Sequence, residues 1–358
     1  MQTSPFQFHG PLEPHAVTGR DDVVGDLVRR VTERRPTVLL APRRFGKTSV
    51  LGSVGAELAD TTTVIAVDLY ELRSWADLAA RLDDALDGVI GGARSHLDRV
   101  AAGLEISLGV VKARFSRPDR PPGDITAERL LDLIVAHGND VPTVLVFDEF
   151  SSIVRIDGAA GLLRTKLQHH FASIGLLFAG SEPSTMRMLF ADHDQPFYAQ
   201  ADLVELSGLD RGLVDNLILH GFDGSPPAGL ASRLFDFTNG HPQRTMQIAD
   251  TAWRLAQDQG RDDLIWAGAL DAVRTSTDSG FELRFSGLAT AEQAVMRLAA
   301  GDGVLHGRDA ELLALHASSA EAAKRTLIDR GQVHSTIGAR VGVIDPLFAD
   351  WLRRRFPL

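Results

Sequence analysis

Residues 37–50 read Thr-Val-Leu-Leu-Ala-Pro-Arg-Arg-Phe-Gly-Lys-Thr-Ser-Val. The stretch predicts an apolar strand, then a polar loop, then an apolar helix that opens with Gly46-Lys47-Thr48. Backbone N–H groups at the start of a helix face bound anions, and a lysine at that place adds a positive charge. A threonine hydroxyl beside the lysine can bind Mg²⁺. The layout therefore predicts a loop that holds the phosphates of a nucleotide.

The predicted phosphate loop departs from the G-x-x-x-x-G-K-[ST] pattern at its first position, where Ala41 stands in place of glycine. Arg43 and Arg44 lie inside the loop and can contact phosphate, a neighbouring subunit or solvent, and the sequence leaves these alternatives open. The residues expected to bind the nucleotide are Pro42, Arg43, Arg44, Phe45, Gly46, Lys47, Thr48 and Ser49.

The composition is that of a globular protein with a sizeable core, and 358 residues predict two or three domains. The net charge of −10 disfavours non-specific binding to nucleic acid or to an anionic membrane, although a local basic face stays open. The chain has no cysteine, which excludes disulfides, thiolate zinc sites and a cysteine nucleophile. The N-terminus lacks the features of a signal peptide and no apolar run matches a membrane span, so we expect a cytoplasmic protein without a membrane partner.

Five short apolar runs predict buried parallel strands. They are Thr37–Ala41, Thr63–Leu69, Thr143–Phe147, Gly175–Ala179 and Asp202–Leu206. Most are followed by helical periodicity, and this alternation is typical of an α/β fold with a sheet covered on both faces. Between the second and third runs we expect a helix at 75–101, an inserted strand or hairpin at 104–111 and a loop at 117–123.

We predict four parts along the chain: an N-terminal arm and helix at 1–35, a nucleotide-binding core at 36–206, a helical lid at 207–280 and a winged-helix domain at 281–358. In the lid we expect helices at 209–220, 227–238, 242–258 and 262–276. The last part contains three predicted helices, Thr290–Ala300, Arg308–His316 and Ser318–Arg330, then a hairpin and a final helix at 346–355. Three helices followed by a hairpin are the layout of a winged helix.

Two carboxylates, Asp148 and Glu149, follow the third apolar run. In an open α/β sheet ligands bind at the carboxyl ends of the strands, so we expect both residues near the phosphate loop. Asp148 suits a role beside Thr48 in holding Mg²⁺, and Glu149 suits orienting and deprotonating a water molecule. The alternative is a pair of acids at the N-terminus of a helix, which is common in α/β proteins.

Ser181 follows the fourth apolar run, where a hydroxyl can contact the terminal phosphate or the attacking water; the alternative is a plain turn. Arg244 lies in the first turn of a predicted lid helix and can reach the phosphates from the lid, and the alternative is an exposed arginine. Arg187 is a candidate for an arginine that acts across a subunit interface, against the alternative of a solvated helix residue.

These motifs together resemble the archaeal-type P-loop ATPases of the AAA+/STAND group. The segments that carry the resemblance are 18–21, 38–51, 147–150, 180–186, 197–198, 240–242 and 345–353, in the family's order. The chain departs from the family at Ala41 and at Gln200, where basic residues are expected after Tyr198. The resemblance implies ATP and Mg²⁺ as cofactors, a helical lid, a C-terminal winged helix and a nucleotide-dependent switch.

Three functions stay open from the sequence. The first is an ATP-hydrolysing switch that acts on an unidentified protein partner. The second is a DNA-binding regulator or loader, which the mixed charge of Ser318–Arg330 does not favour. The third is a nucleotide-binding scaffold with little hydrolysis, for which Ala41 is the reason. The choice between ATP and GTP and the possibility of an oligomer are also left open.

Overall fold

A computed structural model of the protein describes residues 3–89, 122–259, 262–335 and 340–358. Its central sheet has five strands, which are β1 (Thr37–Leu40), β2 (Thr63–Asp68), β3 (Thr143–Asp148), β4 (Ile174–Gly180) and β5 (Asp202–Glu205). Their order across the sheet is β2-β3-β4-β1-β5, and every neighbouring pair is parallel. Each predicted strand is confirmed to within one residue at each end.

The register of the sheet aligns the carboxyl ends of β1, β3 and β4 at one edge. Leu40 at the end of β1 lies opposite Gly180 of β4, and Phe147 of β3 lies opposite Phe178 of the same strand. The connections that follow β1 and β4 lead to opposite ends of the sheet, to β2 and to β5, and such a point opens a crevice at the strand ends. The loops that follow these three strands therefore meet in one place.

In the described residues, six helices cover the two faces of the sheet. They are α1 (Asp21–Thr32), α2 (Lys47–Leu58), α3 (Trp75–Asp87), α4 (Pro122–Asp140), α5 (Ala159–Leu167) and α6 (Pro183–Ala191), with short 3-10 helices at Pro14–Ala16 and Phe150–Arg155. One face packs around five phenylalanines, Phe147, Phe150, Phe178, Phe190 and Phe197. The other face packs aliphatic residues of α1 and α2 against β1, β3 and β4.

The predicted segment between β2 and β3 is only partly within the described residues. Helix α3 confirms the start of the helix expected at 75–101, but residues 90–101, the strand or hairpin expected at 104–111 and most of the loop at 117–123 lie outside them. Helix α4 begins at Pro122, so residues 122 and 123 of the predicted loop are helical instead; proline is well suited to the first position of a helix.

Four helices follow the sheet. They are α7 (Arg211–Gly221), α8 (Leu230–Thr238), α9 (Pro242–Gln259) and α10 (Asp262–Ser286). The C-terminal unit then contains α11 (Thr290–Ala300), α12 (Arg308–Leu312), α13 (Ala317–Asp329), the antiparallel strands β6 (Val333–Ser335) and β7 (Val341–Val343), and α14 (Pro346–Arg355). This is the element order predicted for a winged helix.

Helix α10 is longer than the predicted 262–276 and runs through the predicted boundary between residues 280 and 281. Phe281 and Phe285 extend its apolar face, and both pack against Trp351 of α14. The lid and the C-terminal unit share one continuous hydrophobic cluster for this reason. Helix α12 is shorter than predicted because Ala314 adopts a left-handed backbone conformation, with φ of 50°. No helix in the described part of the chain is long and apolar enough to span a membrane.

Candidate functional site

The loop between β1 and α2 has the backbone of an anion-binding turn. Gly46 caps the start of α2 with φ of 86°, a left-handed conformation that glycine adopts without strain. Arg44 shares the left-handed region, with φ of 71°. Ala41 does not lie in that region and packs its methyl group in the core beside Leu39 and Val50. Alanine in place of glycine at position 41 therefore imposes no backbone strain on the loop.

Asp148 is the centre of a hydrogen-bonded cluster beneath this loop. Its Oδ1 accepts from the Lys47 ammonium and from the backbone N–H of Glu149, at 2.8 Å for the latter. Its Oδ2 accepts from the Thr48 hydroxyl at 3.0 Å. The register of β1, β3 and β4 is what brings these residues together across about one hundred positions of sequence.

Lys47 is almost fully buried, with 6% of its side chain exposed, and it also donates to Glu149 Oε1 at 3.0 Å. A buried ammonium is stable only where opposite charges and hydrogen bonds compensate its lost hydration. The two carboxylates supply that compensation in the structure. A phosphate group near Lys47 would offer the same negative charge, so the lysine is suited to exchange one partner for the other.

Glu149 is held in a defined orientation by Ser181. The carboxylate Oε2 accepts from the Ser181 hydroxyl at 2.7 Å and from the Ser181 backbone N–H at 3.2 Å. Burial alone would raise the pKa of Glu149, but the Lys47 charge and the Ser181 hydrogen bonds outweigh it and hold the pKa below its usual value. Glu149 has φ of 52°, a sparsely populated conformation for a residue with a side chain. Such local strain is typical of functional positions.

A cavity of about 400 Å³, called the first cavity below, opens above this cluster. Its wall includes Pro42, Arg43, Arg44, Gly46, Lys47, Thr48, Ser49, Glu149 and Ser181 from the core, Pro242, Gln243 and Met246 from the lid, and Tyr70. Phe45 is not among the lining residues and instead packs edge-on against the ring of His241, with centroids 5.0 Å apart. The cavity therefore gathers most of the predicted site between the phosphate loop and the lid.

The N-terminal arm forms one wall of this cavity, which the sequence did not predict. Gln7, Phe8, Gly10, Pro11 and Leu12 all line it. The Leu12 N–H donates to the Ser49 hydroxyl at 2.9 Å, and Gln243 of the lid donates to the Phe8 carbonyl at 3.3 Å. An extended segment without periodicity carries no signal for such contacts, because they depend on residues far along the chain.

Arg244 does not line the first cavity in this structure. Its guanidinium forms a bidentate ion pair with Asp345, at 2.9 and 2.6 Å, and also donates to Gln247 at 2.6 Å. Asp345 caps α14 by accepting from the Leu347 and Phe348 N–H groups. The predicted lid arginine thus connects the lid to the C-terminal unit. Arg187 forms an ion pair with Glu205 on the surface.

No family model and no curated protein match this sequence. Solved structures do match it over nearly the whole length. The Walker-type ATPase PABY2304 of Pyrococcus abyssi has 16% identity and a TM-score of 0.68, with 98% of this chain and 99% of that chain covered. The Aeropyrum pernix ORC2 protein, in its ADPNP–ADP complexes, has 15% identity and a TM-score of 0.58, with 99% and 98% covered.

The Aeropyrum pernix ORC1 protein in complex with DNA has 11% identity and a TM-score of 0.50, with 94% of this chain and 93% of that chain covered. At such identities a likeness defines the fold alone. Together with the parallel sheet and its strand order, it confirms the predicted α/β P-loop fold of AAA+ type.

Proposed function

We propose that this protein binds ATP with Mg²⁺ in the first cavity and hydrolyses it. One observation carries the proposal. Lys47, Thr48 and Glu149 converge on Asp148 beneath a left-handed Gly46 turn, at the carboxyl ends of the parallel strands. The structural neighbours described as a Walker-type ATPase and as ADPNP–ADP complexes support a nucleotide as the ligand.

The residues present fit a magnesium ion. Thr48 Oγ1 and Asp148 Oδ2 lie 3.0 Å apart, and both are hard oxygen donors of the kind that Mg²⁺ prefers. When bound, the ion would neutralise charge on the phosphate oxygens. Thr48 and Asp148 are the residues that would hold it.

Lys47 would bind the outer phosphates, and the backbone N–H groups at the start of α2 would face them. Glu149 would orient the attacking water and accept its proton. Because its pKa is held low, Glu149 is ionised at neutral pH but is a weak base, so positioning the water is its larger role. Ser181 would keep the Glu149 carboxylate aimed at that water through two hydrogen bonds.

Nucleotide binding would act on the rest of the molecule through the lid. Arg44 of the phosphate loop donates to Gln243 at 3.2 Å, and Pro242 and Met246 line the same cavity. We infer that loss of the terminal phosphate loosens these contacts and lets the lid and C-terminal unit shift, as in a STAND-type switch. Arg244, in this proposal, reaches the phosphates only if it leaves Asp345.

We also propose the four-part organisation, with the last division at the end of α10, a winged helix at the C-terminus and a cytoplasmic location. A protein partner and an oligomer fit a switch of this kind. The neighbour solved with DNA is the argument for a nucleic-acid partner. Here Lys324 and Arg330 are paired with Glu321 and Glu292, and α13 packs against α6, so we favour a C-terminal unit that contacts its own core.

ATP turnover by variants tests the proposal. We expect Glu149→Gln to bind ATP but to lower turnover by about 100-fold or more, because the amide neither holds the attacking water as the carboxylate does nor accepts its proton. Lys47→Ala should weaken ATP binding by about 10-fold or more, because it removes a charged hydrogen-bond donor. Lys166→Ala is the matched control, since its ammonium pairs with Glu128 and Asp132 on the surface.

Equal turnover in all three variants and the wild type would contradict the proposal. Tight nucleotide binding without turnover in the wild type would instead support the scaffold alternative.

A further inference from the structure

A second cavity, of about 490 Å³, also borders the phosphate loop. Arg43 and Arg44 line both cavities, so the loop separates one from the other. The remaining wall comes from the start of α9, the C-terminal half of α10 and the C-terminal unit near Asp345. The proposed ATPase reaction makes no use of this space.

Positive charge dominates the wall of the second cavity. Among the described residues that line it, Asp345 is the single carboxylate and five are arginines: Arg43, Arg44, Arg244, Arg284 and Arg330. Asp345 is taken by the bidentate pair with Arg244 and lies 3.7 Å from Arg284. Arg330 pairs with Glu292 outside the cavity.

The two arginines of the loop have no acidic partner in the part of the chain that the structure describes. Arg44 donates to the neutral amide of Gln243, and Arg43 makes no hydrogen bond or ion pair with any described residue. Five guanidinium groups therefore face two carboxylates, and three positive charges are left uncompensated.

Two of these arginine side chains are largely buried. The Arg244 side chain is 6% exposed and the Arg284 side chain 31%. Burial lowers the pKa of Arg284; Asp345 opposes this shift, while the charges of Arg44 and Arg244 add to it. Arg284 is further fixed over the ring of Phe348, at 4.3 Å from its centroid. An anion in the cavity would relieve the repulsion between guanidinium groups that are already held in place.

We propose that the second cavity binds a small molecule with a di- or triphosphate group, held by Arg43, Arg44 and Arg284. Guanidinium groups match the geometry of phosphate oxygens in pairs, and three uncompensated charges suit more than one phosphate group. The volume is within the range of small-molecule sites. The phosphate chain can be free or part of a nucleotide. Arg43 and Arg44 also line the first cavity, whereas Arg284 lines only the second, and the proposed hydrolysis makes no use of Arg284.

Titration calorimetry with pyrophosphate tests the site. We expect the wild type to bind two equivalents and Lys47→Ala to keep the one in the second cavity. Arg284→Gln in the Lys47→Ala background should weaken that remaining equivalent by about 10-fold or more, because one charged hydrogen-bond donor is lost. Arg274→Gln is the matched control, since Arg274 is on the same helix and pairs with Asp350 away from the cavity.

Unchanged pyrophosphate affinity on adding Arg284→Gln to Lys47→Ala would overturn the site, as would the absence of any binding to Lys47→Ala. If Arg284→Gln does not fold, Arg43→Gln in the Lys47→Ala background makes the same test at an exposed arginine of the proposed site. The same titration with ADP identifies the source: a second equivalent of ADP indicates a nucleotide, and one equivalent indicates a free phosphate chain. The ATPase proposal fails separately, if Lys47→Ala leaves ATP turnover unchanged.

Discussion

Asp148 organises the first cavity because it satisfies three donors at once. The ammonium of Lys47, the hydroxyl of Thr48 and the N–H of Glu149 all point at its two oxygens. A carboxylate bound by this many donors keeps one orientation, and this orientation fixes the residues that donate to it. Glu149 then needs only Ser181 to complete its placement.

His241 is a second residue whose chemistry depends on its surroundings. It is 4% exposed, between Phe45 and the pair formed by Arg244 and Asp345. Burial lowers its pKa to about 4; Asp345 opposes the shift and Arg244 adds to it. The folded protein therefore holds His241 neutral at pH values where an unfolded chain, with a histidine pKa near 6.5, begins to bind a proton.

We expect this difference to make the protein less stable in acid. The unfolded state binds more protons between pH 6.5 and about 4, so stability is complete above pH 6.5 and falls as the pH decreases. The share of His241 at pH 5 is about 2 kcal/mol. Urea unfolding at pH 7.5 and pH 5 should therefore differ less in His241→Gln than in the wild type. His220→Gln, at an exposed histidine, should keep the wild-type difference; an equal difference in all three proteins contradicts the expectation.

The connection from α8 to α9 sets how the lid meets the core. Asn239 and Gly240 both take left-handed backbone conformations, with φ of 47° and 71°, and end α8 sharply. The Gly240 carbonyl then accepts from the Leu209 N–H at 2.8 Å. This bond fixes the start of α9, and with it Pro242 and Gln243 at the edge of the first cavity.

Gly240→Ala should destabilise the protein by about 3 kcal/mol or more, because the conformation is unfavourable for alanine and there is no room for a methyl group. A Cβ atom at Gly240 would lie 1.8 Å from the Leu209 carbonyl oxygen. Gly25→Ala is the control, since a Cβ atom there meets nothing within 4 Å and the site is in the middle of α1. We expect its free energy of unfolding in urea to be the same as that of the wild type or higher by up to about 1 kcal/mol. Equal midpoints for both variants would count against this account of the turn.

The described part of the chain contains three hydrophobic clusters of unequal extent. Two of them cover the faces of the sheet, whereas the third extends from Phe6 and α7 through the lid to α14. Trp351 is at the centre of the third cluster, 2% exposed, and its indole N–H donates to Asp278 of α10 at 2.8 Å. The lid and the C-terminal unit therefore form one packed body, and a nucleotide-driven movement of the lid would carry both.

Trp351→Ala should loosen this body without loosening the sheet. We expect a loss of about 3–5 kcal/mol from the third cluster, as for removal of a buried tryptophan. Hydrogen exchange should then lose protection in α9, α10 and α14 together, while β1, β3 and β4 keep theirs. Phe197→Ala, in the cluster on the sheet, should produce the opposite pattern. Loss of protection confined to α14 would show that the two parts are not one unit.

β1, β3 and β4 could be predicted closely because each is a short apolar run that is buried on both faces, and such burial leaves a direct trace in the residues. The edge strands β2 and β5 are partly exposed, so the expectation of burial was wrong for them although their bounds were correct to within one residue. Lys47, Thr48, Asp148 and Glu149 could be predicted as neighbours because the carboxyl ends of parallel strands meet at one edge. The end of α10 could not be predicted from the sequence, because Phe281 and Phe285 extend the helix only where Trp351 covers them.

The residues alone are enough to define the phosphate loop, the acidic strand end and the order of the elements, because these depend on local periodicity and on rules of chain topology. The placement of Arg244 against Asp345, the N-terminal arm against Ser49 and the five arginines around the second cavity came only from the folded chain. Each joins residues from segments that are distant in sequence. A local sequence pattern does not predict whether a buried arginine will bind a phosphate or pair with a carboxylate.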